Sequence, residues 1–171
     1  MGNRDALRLP VVSLAAEHMA LAYLMRRNIL AYKAPPNNAG YDLICIHPDS
    51  KQSGKIVRVQ VKSRYQSDSD RAFPVKGKTI ESFDFLMVVF LNIGKFYRGS
   101  DGSGGKGDVE IYTLPQSWIR EHHYSPKSGF EKVRTKGHNL YEFKNDVGIE
   151  QIAKVLQVAP PLRLEVGRAD F

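Results

Sequence analysis

The N-terminal part of the sequence carries apolar residues that recur every three or four positions. From Pro10 to about Asn28 it has no internal Gly or Pro and is rich in Ala, Leu and Met, which favour helices. Breakers and turn formers then follow from Ala34 to Gly40. The pattern predicts one amphipathic helix followed by a turn.

Two strands of a hairpin are predicted next. The segment Tyr41–His47 is short and mainly apolar, and Lys55–Ser63 alternates between apolar and polar residues, as in a half-buried strand. Turn-forming residues fill the stretch from Pro48 to Gly54. The two strands should therefore pair directly.

A central strand is predicted at Phe83–Asn92, because the run Phe85–Leu91 is apolar at every position and suits a strand covered on both faces. Before it, Arg64–Lys78 is polar and basic, which predicts a surface loop or a short irregular element. After it, Val109–Leu114 predicts a further strand, and Pro115 can begin a short helix.

The C-terminal part gives weaker patterns. A short strand is predicted at Leu140–Phe143, and Asp146 can cap a helix that ends before Pro160. Together the elements predict an α/β fold with a mixed central β-sheet flanked by helices. We expect one domain over residues 1–171, with a core at about 10–124 and an extension at about 125–171.

Composition and charge narrow the function classes. The 171 residues are 42% hydrophobic and 25% charged, with a formal net charge of +7, so a globular protein with a polyanionic partner is favoured. Cys45 is the only cysteine, which excludes an intramolecular disulfide and fits a reducing compartment. No apolar run approaches the roughly 20 residues of a membrane span. These features predict a cytoplasmic protein that does not enter a membrane.

The strand Lys55–Ser63 places polar chemistry on one face. Alternate strand residues point to opposite sides, so Val57, Val59 and Val61 lie on one face. The other face carries an arginine, an amide and an ammonium group: Arg58, Gln60 and Lys62.

Two acids break the apolar patterns of neighbouring segments. Asp42 begins an otherwise apolar strand, and the hairpin can bring it beside Gln60 and Lys62. Glu17 has Leu14, Ala20, Leu21 and Leu24 on its side of the N-terminal helix. A carboxylate there needs a partner, and either a salt bridge to Lys62 or a functional site would supply one.

This arrangement of Glu17 on a helix, Asp42 on a strand and Gln60-Val61-Lys62 on the next strand resembles the PD-(D/E)xK nuclease superfamily. The resemblance implies a restriction-endonuclease-like fold with an αβββαβ-type core. This sequence has Tyr41 where the signature has proline, and Gln60 where it has the second acid. Certain group I intron homing endonucleases of the superfamily are similar in using Gln before x-Lys.

The implied activity is hydrolysis of phosphodiester bonds by a metal-dependent endonuclease. Mg²⁺ or Mn²⁺ favours oxygen ligands, and those expected here are Asp42, Gln60, the main-chain carbonyl of Val61, and Glu17. Lys62 is expected to orient the attacking water and stabilise charge at the phosphate. Asp42, Gln60, Lys62 and Glu17 are thus the predicted catalytic residues.

The expected partner is nucleic acid, with DNA favoured, and a homodimer is left open. Cations in and after the site strand suit contacts with a phosphate backbone. The predicted contact residues are Arg58, Arg64, Arg71, Lys76 and Lys78. Two alternatives remain. One is an inactive nuclease-like module that binds nucleic acid or protein, and the other is a basic surface for an acidic protein.

Overall fold

The computed structural model describes residues 11–36, 38, 40–52, 54–66, 72–94, 104–127 and 129–160. Arg71, one of the predicted nucleic-acid contacts, lies outside these ranges. The helices are α1 (Val12–Arg26), α2 (Gln116–His122) and α3 (Asn145–Leu156), with 3-10 helices at Gly77–Ser82 and Tyr141–Phe143. No described helix is long and apolar enough to cross a membrane.

The described strands form two sheets. In chain order they are β1 (Leu30–Lys33), β2 (Leu43–Ile46), β3 (Ile56–Arg64), β4 (Ala72–Pro74), β5 (Phe85–Phe90), β6 (Glu110–Pro115), β7 (His123–Tyr124) and β8 (Lys132–Arg134). The main sheet has the order β1-β2-β3-β5-β6, and the small sheet has the order β4-β8-β7.

The main sheet is mixed. β3 and β5 pair in parallel, whereas the other neighbouring strands pair antiparallel. The antiparallel β2–β3 pair is the predicted hairpin. The predicted α/β class, with a mixed central sheet flanked by helices, is confirmed.

The two faces of the main sheet are covered by different elements. α1 and α3 pack on one face, where residues such as Ala20 and Ile152 share a core with β3 and β5. The other face of β5 and β6 lies under the small sheet, the first 3-10 helix and α2. β5 is therefore buried along its whole length, as predicted. On this second face, the polar side of β3 lies beside the covering layer rather than beneath it.

Some local predictions were wrong. The sequence pattern did not reveal β1, which follows α1 after Asn28 adopts a left-handed φ of 63° and ends the helix. The segment Arg64–Lys78 is not all surface, because β4 forms there and Phe73 is fully buried. Tyr141–Phe143 forms a 3-10 helix instead of the strand predicted at Leu140–Phe143.

The predicted C-terminal extension supplies α3 to the core, and an ion pair ties this helix to the end of α1. Arg27 Nη2 donates to Glu150 Oε2 at 2.9 Å, and Arg27 Nη1 donates to the Ala159 carbonyl at 3.0 Å. The hydrogen bond from Arg27 lowers the pKa of the Glu150 carboxyl. The division of the chain into core and extension stays a prediction.

The Arg27–Glu150 pair gives a testable pH dependence. A carboxyl whose pKa is lower in the folded state contributes stability above its unfolded pKa of about 4.3 and loses it as pH falls through the folded value. We therefore expect Glu150→Gln to lower the free energy of unfolding at pH 7, with the deficit shrinking as the pH falls towards 3. Urea unfolding measures this. Glu142→Gln, an exposed control, should show no such trend, and a Glu150→Gln deficit that is constant with pH would contradict the assignment.

Candidate active-site cleft

Asp42 lies at the point where β2 begins beside β3. Its N–H donates to the Val59 carbonyl and its carbonyl accepts the Ala34 N–H, both at 2.8 Å. The antiparallel register pairs Leu43 with Val59, so Asp42 lies opposite Gln60. The backbone of β1, β2 and β3 thus fixes the position of this acid.

The Asp42 carboxylate bonds directly to two groups of β3. Its Oδ2 atom accepts the Val61 N–H at 2.6 Å and a hydrogen bond from Gln60 Nε2 at 3.1 Å. Because Asp42 precedes the first residue of β2, its side chain supplies an acceptor where the β2–β3 ladder ends. Within the described ranges, no hydrogen bond is made by its Oδ1 atom.

The alternation along β3 follows the sequence expectation. Val57, Val59 and Val61 are buried in the core beneath α1. Gln60 and Lys62 are half-buried on the opposite face, where β5 places Leu86 and Val88 beside them. Lys62 forms no ion pair with any residue in the described part of the chain.

Glu17 reaches the site from α1 but does not pair with Lys62. Its Oε2 atom lies 2.7 Å from Lys33 Nζ at the end of β1, and its side chain is 22% exposed. The buried face of α1 is formed by Ala16, Ala20 and Leu24. Leu14, which the sequence pattern placed on that face, is 44% exposed. The helix is thus rotated relative to the predicted face, and Glu17 lies at its margin.

One open cleft of about 300 Å³ collects the predicted catalytic and metal-ligating residues. Its lining residues are Ser13, Glu17, Asp42, Gln60, Val61, Lys62, Ser63, Arg64 and Pro74. Sequence reasoning missed Ser13, Ser63, Pro74 and the Glu17 partner Lys33. Small hydroxyl residues, a proline and a single lysine carry no motif of their own, so only the three-dimensional structure places them at the site.

The donor set suits a hard cation only in part. Asp42 and Glu17 provide carboxylate oxygens, and Gln60 and Val61 can add an amide and a main-chain oxygen, which are ligand types of Mg²⁺. The described residues contain no group of three or more His, Cys, Asp or Glu side chains that could hold a metal ion. A site here would therefore depend on neutral ligands and on water, which Mg²⁺ commonly retains.

Cys45 is not a nucleophile in this structure. It is fully buried in the core between the sheet and α1, and burial raises the pKa of its thiol to about 12. A thiol with this pKa stays protonated at neutral pH. Cys45 is also not among the residues that line the cleft.

The residues predicted to contact nucleic acid lie in different environments. Arg64 lines the cleft and lies over the Phe73 ring, with 4.8 Å between Cζ and the ring centroid. Arg58 is held by Asp84, whose carboxylate accepts from Nη2 at 3.0 Å and raises the pKa of the guanidinium. Lys76 and Lys78 are exposed at the first 3-10 helix. Contact between these cations and nucleic acid stays a prediction.

The protein has an α/β fold with a mixed sheet. Its cleft collects carboxylate, amide and ammonium groups at the point where the β2–β3 ladder ends. No family model and no curated protein matches the chain. Among solved structures, it is similar to the Holliday junction resolvase Hjc of Archaeoglobus fulgidus, with 11% identity and a TM-score of 0.45 over 85% of this chain and 95% of that chain.

The bacterial homing endonuclease I-Ssp6803I is also similar, with 15% identity and a TM-score of 0.48 over 88% of this chain and 95% of that chain.

Proposed function

We propose that the protein is a metal-dependent nuclease that hydrolyses phosphodiester bonds, with DNA as the favoured substrate. The observation that carries this proposal is the single cleft that Glu17, Asp42, Gln60, Val61 and Lys62 line together. Phosphodiester hydrolysis needs a nucleophilic water and positive charge where negative charge develops. The cleft offers groups suited to both needs.

Asp42 is the principal metal-side residue of this proposal. Its Oδ2 atom accepts the Val61 N–H and the Gln60 amide, and no group in the described part of the chain bonds to Oδ1. Glu17, Gln60 and the Val61 carbonyl complete the proposed ligand set. A bound Mg²⁺ or Mn²⁺ would supply the positive charge that favours attack on a phosphate and departure of the leaving oxygen.

Gln60 must reorient to serve as a ligand. Its amide nitrogen donates to Asp42, so its oxygen is turned away from the carboxylate. Rotating the amide by half a turn exchanges the two atoms, but would place oxygen against oxygen unless a cation lay between them. Cation binding and this rotation are therefore coupled in the proposed site.

Lys62 is the proposed water-orienting group. It stands two residues from Gln60 on the same face of a strand whose other face is buried, so its backbone is held rigidly. An ammonium group has three donors and can hold a water molecule and a phosphate oxygen at once. With a net charge of +7, the whole chain also favours association with a polyanion.

Replacing Asp42 tests the metal-dependent part of the proposal. Wild-type protein titrated with Mn²⁺ in a calorimeter should give saturable heat, and Asp42→Asn should lose it because the substitution removes the best-placed negative charge. The same variant should not cleave DNA when Mg²⁺ is added. Both readouts are needed, because metal binding alone does not demonstrate hydrolysis.

Asp49→Asn is the matched control, since Asp49 is an exposed acid in the turn between β2 and β3. It should retain the metal heat and any cleavage. Equal heats for wild type and Asp42→Asn, or no heat from wild type, would contradict the metal site.

A second candidate function is an inactive module that binds nucleic acid. The presence of Gln60 at the place of a second acid favours it, as does the lack of a cluster of three metal-ligating side chains among the described residues. Such a module would bind DNA with strong salt dependence but would show neither metal heat nor cleavage.

A further inference from the structure

The small sheet β4-β8-β7 has two different faces. Phe73 of β4 and Val133 of β8 pair with each other and are fully buried against the main sheet. Because side chains alternate along a strand, the neighbouring positions of β4 and β8 point away from the core. The outward positions are Ala72, Pro74, Lys132 and Arg134.

Aromatic rings and cations share this outer face. Tyr124 of β7 pairs with Lys132 of β8, and the Arg134 Cζ atom lies 5.1 Å from the centroid of the Tyr124 ring. The Lys132 Nζ atom lies 5.5 Å from the centroid of the Phe130 ring. Tyr124 is 48% exposed and Phe130 is 59% exposed, so both residues are accessible to solvent.

The charge of this face is positive. Neither Lys132 nor Arg134 forms an ion pair with a residue in the described ranges. The adjacent acid, Glu131, is engaged elsewhere, because its Oε2 atom accepts the Gly77 N–H and lies 3.5 Å from His123 Nε2. The two cations are thus available to an external anion.

The outer face is continuous with the cleft. Pro74 lines the cleft and pairs with Lys132 across the small sheet. Arg64, another cleft residue, donates from Nη2 to the Ala72 carbonyl of β4. A path therefore runs from the cleft across Pro74 to Lys132, Tyr124 and Arg134.

We infer that this face binds a single-stranded stretch of nucleic acid that leads to or from the cleft. Cations can contact phosphates of any nucleic acid, but exposed rings can stack only on bases that are free of a duplex stack. Tyr124 and Phe130 therefore favour a single strand, on whose bases they can stack. Lys132 and Arg134 would contact the phosphates of that strand. The inference rests on the proposed function for the role of the cleft, but the binding itself requires no cleavage.

The test is fluorescence anisotropy with a labelled, mixed-sequence DNA oligonucleotide of about 16 nucleotides, as a single strand and as a duplex, in EDTA. Wild type should bind the single strand more tightly than the duplex. The double variant Tyr124→Leu with Phe130→Leu keeps apolar bulk but removes both rings, and should bind the single strand at least about tenfold more weakly. Tyr124→Phe, which keeps the ring, should bind as wild type does.

The contribution of Lys132 and Arg134 is tested separately, through the salt dependence of single-strand binding. For single strands, each phosphate contact contributes about 0.7 to the slope of the logarithm of affinity against the logarithm of salt concentration. Lys132→Gln with Arg134→Gln should therefore reduce the slope by about 1.4. Tyr141→Ala and Lys154→Gln are the controls, because they remove an exposed ring and an exposed cation on other elements and should change neither affinity nor slope.

Unchanged single-strand binding by the double leucine variant, with its fold verified by circular dichroism, would overturn the inference. Equal competition by polyglutamate and by the single strand would also overturn it, since the face would then be a general acceptor of acidic polymers. Because EDTA removes the metal, failure of the proposed nuclease activity cannot produce either result. A protein that binds single strands by these rings but never cleaves DNA would contradict the proposed function alone.

Discussion

Replacing Lys62 by Ala is expected to lower phosphodiester cleavage by about 10²- to 10⁴-fold, the range typical of a positioned proton-transfer or water-orienting group. Lys62 shares the cleft with Asp42 and Gln60 and has no ion-pair partner in the described part of the chain. Its ammonium group is therefore available to water and phosphate. The measurement is the initial cleavage rate of plasmid and linear DNA in Mg²⁺, compared with wild type.

Two further variants test whether Lys62 acts through its specific position and shape or only through its positive charge. Lys62→Arg keeps the positive charge but replaces a compact ammonium with a planar guanidinium, so we expect it to restore binding of DNA more than the rate. Lys51→Ala is the control. It removes an exposed cation in the turn between β2 and β3, away from Gln60 and Lys62, and the variant should cleave DNA as wild type does.

The thermal midpoint of Lys62→Ala should stay close to that of wild type, because the side chain is only half-buried and its loss breaks no ion pair in the described ranges. A wild-type cleavage rate in Lys62→Ala would remove Lys62 from the proposed mechanism. A large fall in the midpoint would instead show a structural role.

The alternation of β3 could be predicted because a strand has a period of two residues and its apolar and polar residues separate cleanly. The relation of Asp42 to Gln60 also followed from sequence, since a hairpin leaves few ways to pair two adjacent strands. These two local rules were enough to place an acid beside an amide. They did not give the hydrogen bond from Val61, which depends on where the β2–β3 ladder ends.

The partner of Glu17 could not be predicted in the same way. Lys33 belongs to β1, which directly follows α1. This strand has only four residues, too few to show a distinctive pattern of apolar and polar residues. Its pairing with Glu17 arises from the packing of α1 across the sheet, which is a long-range property. The burial of Phe73 could not be predicted for a similar reason. It depends on the pairing of β4 with β8, a strand that is distant in sequence.

The open cleft has a structural cause. The small sheet and α2 cover the second face of β5 and β6, but Gln60 and Lys62 of β3 remain only half-buried on that face. Polar side chains in this position stay accessible while the opposite face of their strand is fixed in the core. The same partial cover places Pro74, at the edge of the small sheet, on the wall of the cleft.

Gly148→Ala is expected to destabilise the protein, although alanine normally favours a helix over glycine by about 1 kcal/mol. A Cβ atom on Gly148 in α3 would lie 2.0 Å from the Phe143 carbonyl oxygen and 2.5 Å from its carbonyl carbon. Both are backbone atoms of the preceding 3-10 helix, so either that turn or α3 must move. The cost of such overpacking is about 1–3 kcal/mol or more, and urea unfolding measures it.

Gly54→Ala is the control for the Gly148 substitution, because a Cβ atom there has no other atom within 4 Å. It should leave the free energy of unfolding unchanged or raise it slightly, since alanine restricts the unfolded chain. For a protein of this size, each kcal/mol lost should lower the thermal midpoint by about 2–4 °C, so Gly148→Ala should also melt earlier. Equal stability of the two variants would mean that the backbone at Phe143 yields easily, and that α3 is not held as closely to the 3-10 helix as the structure places it.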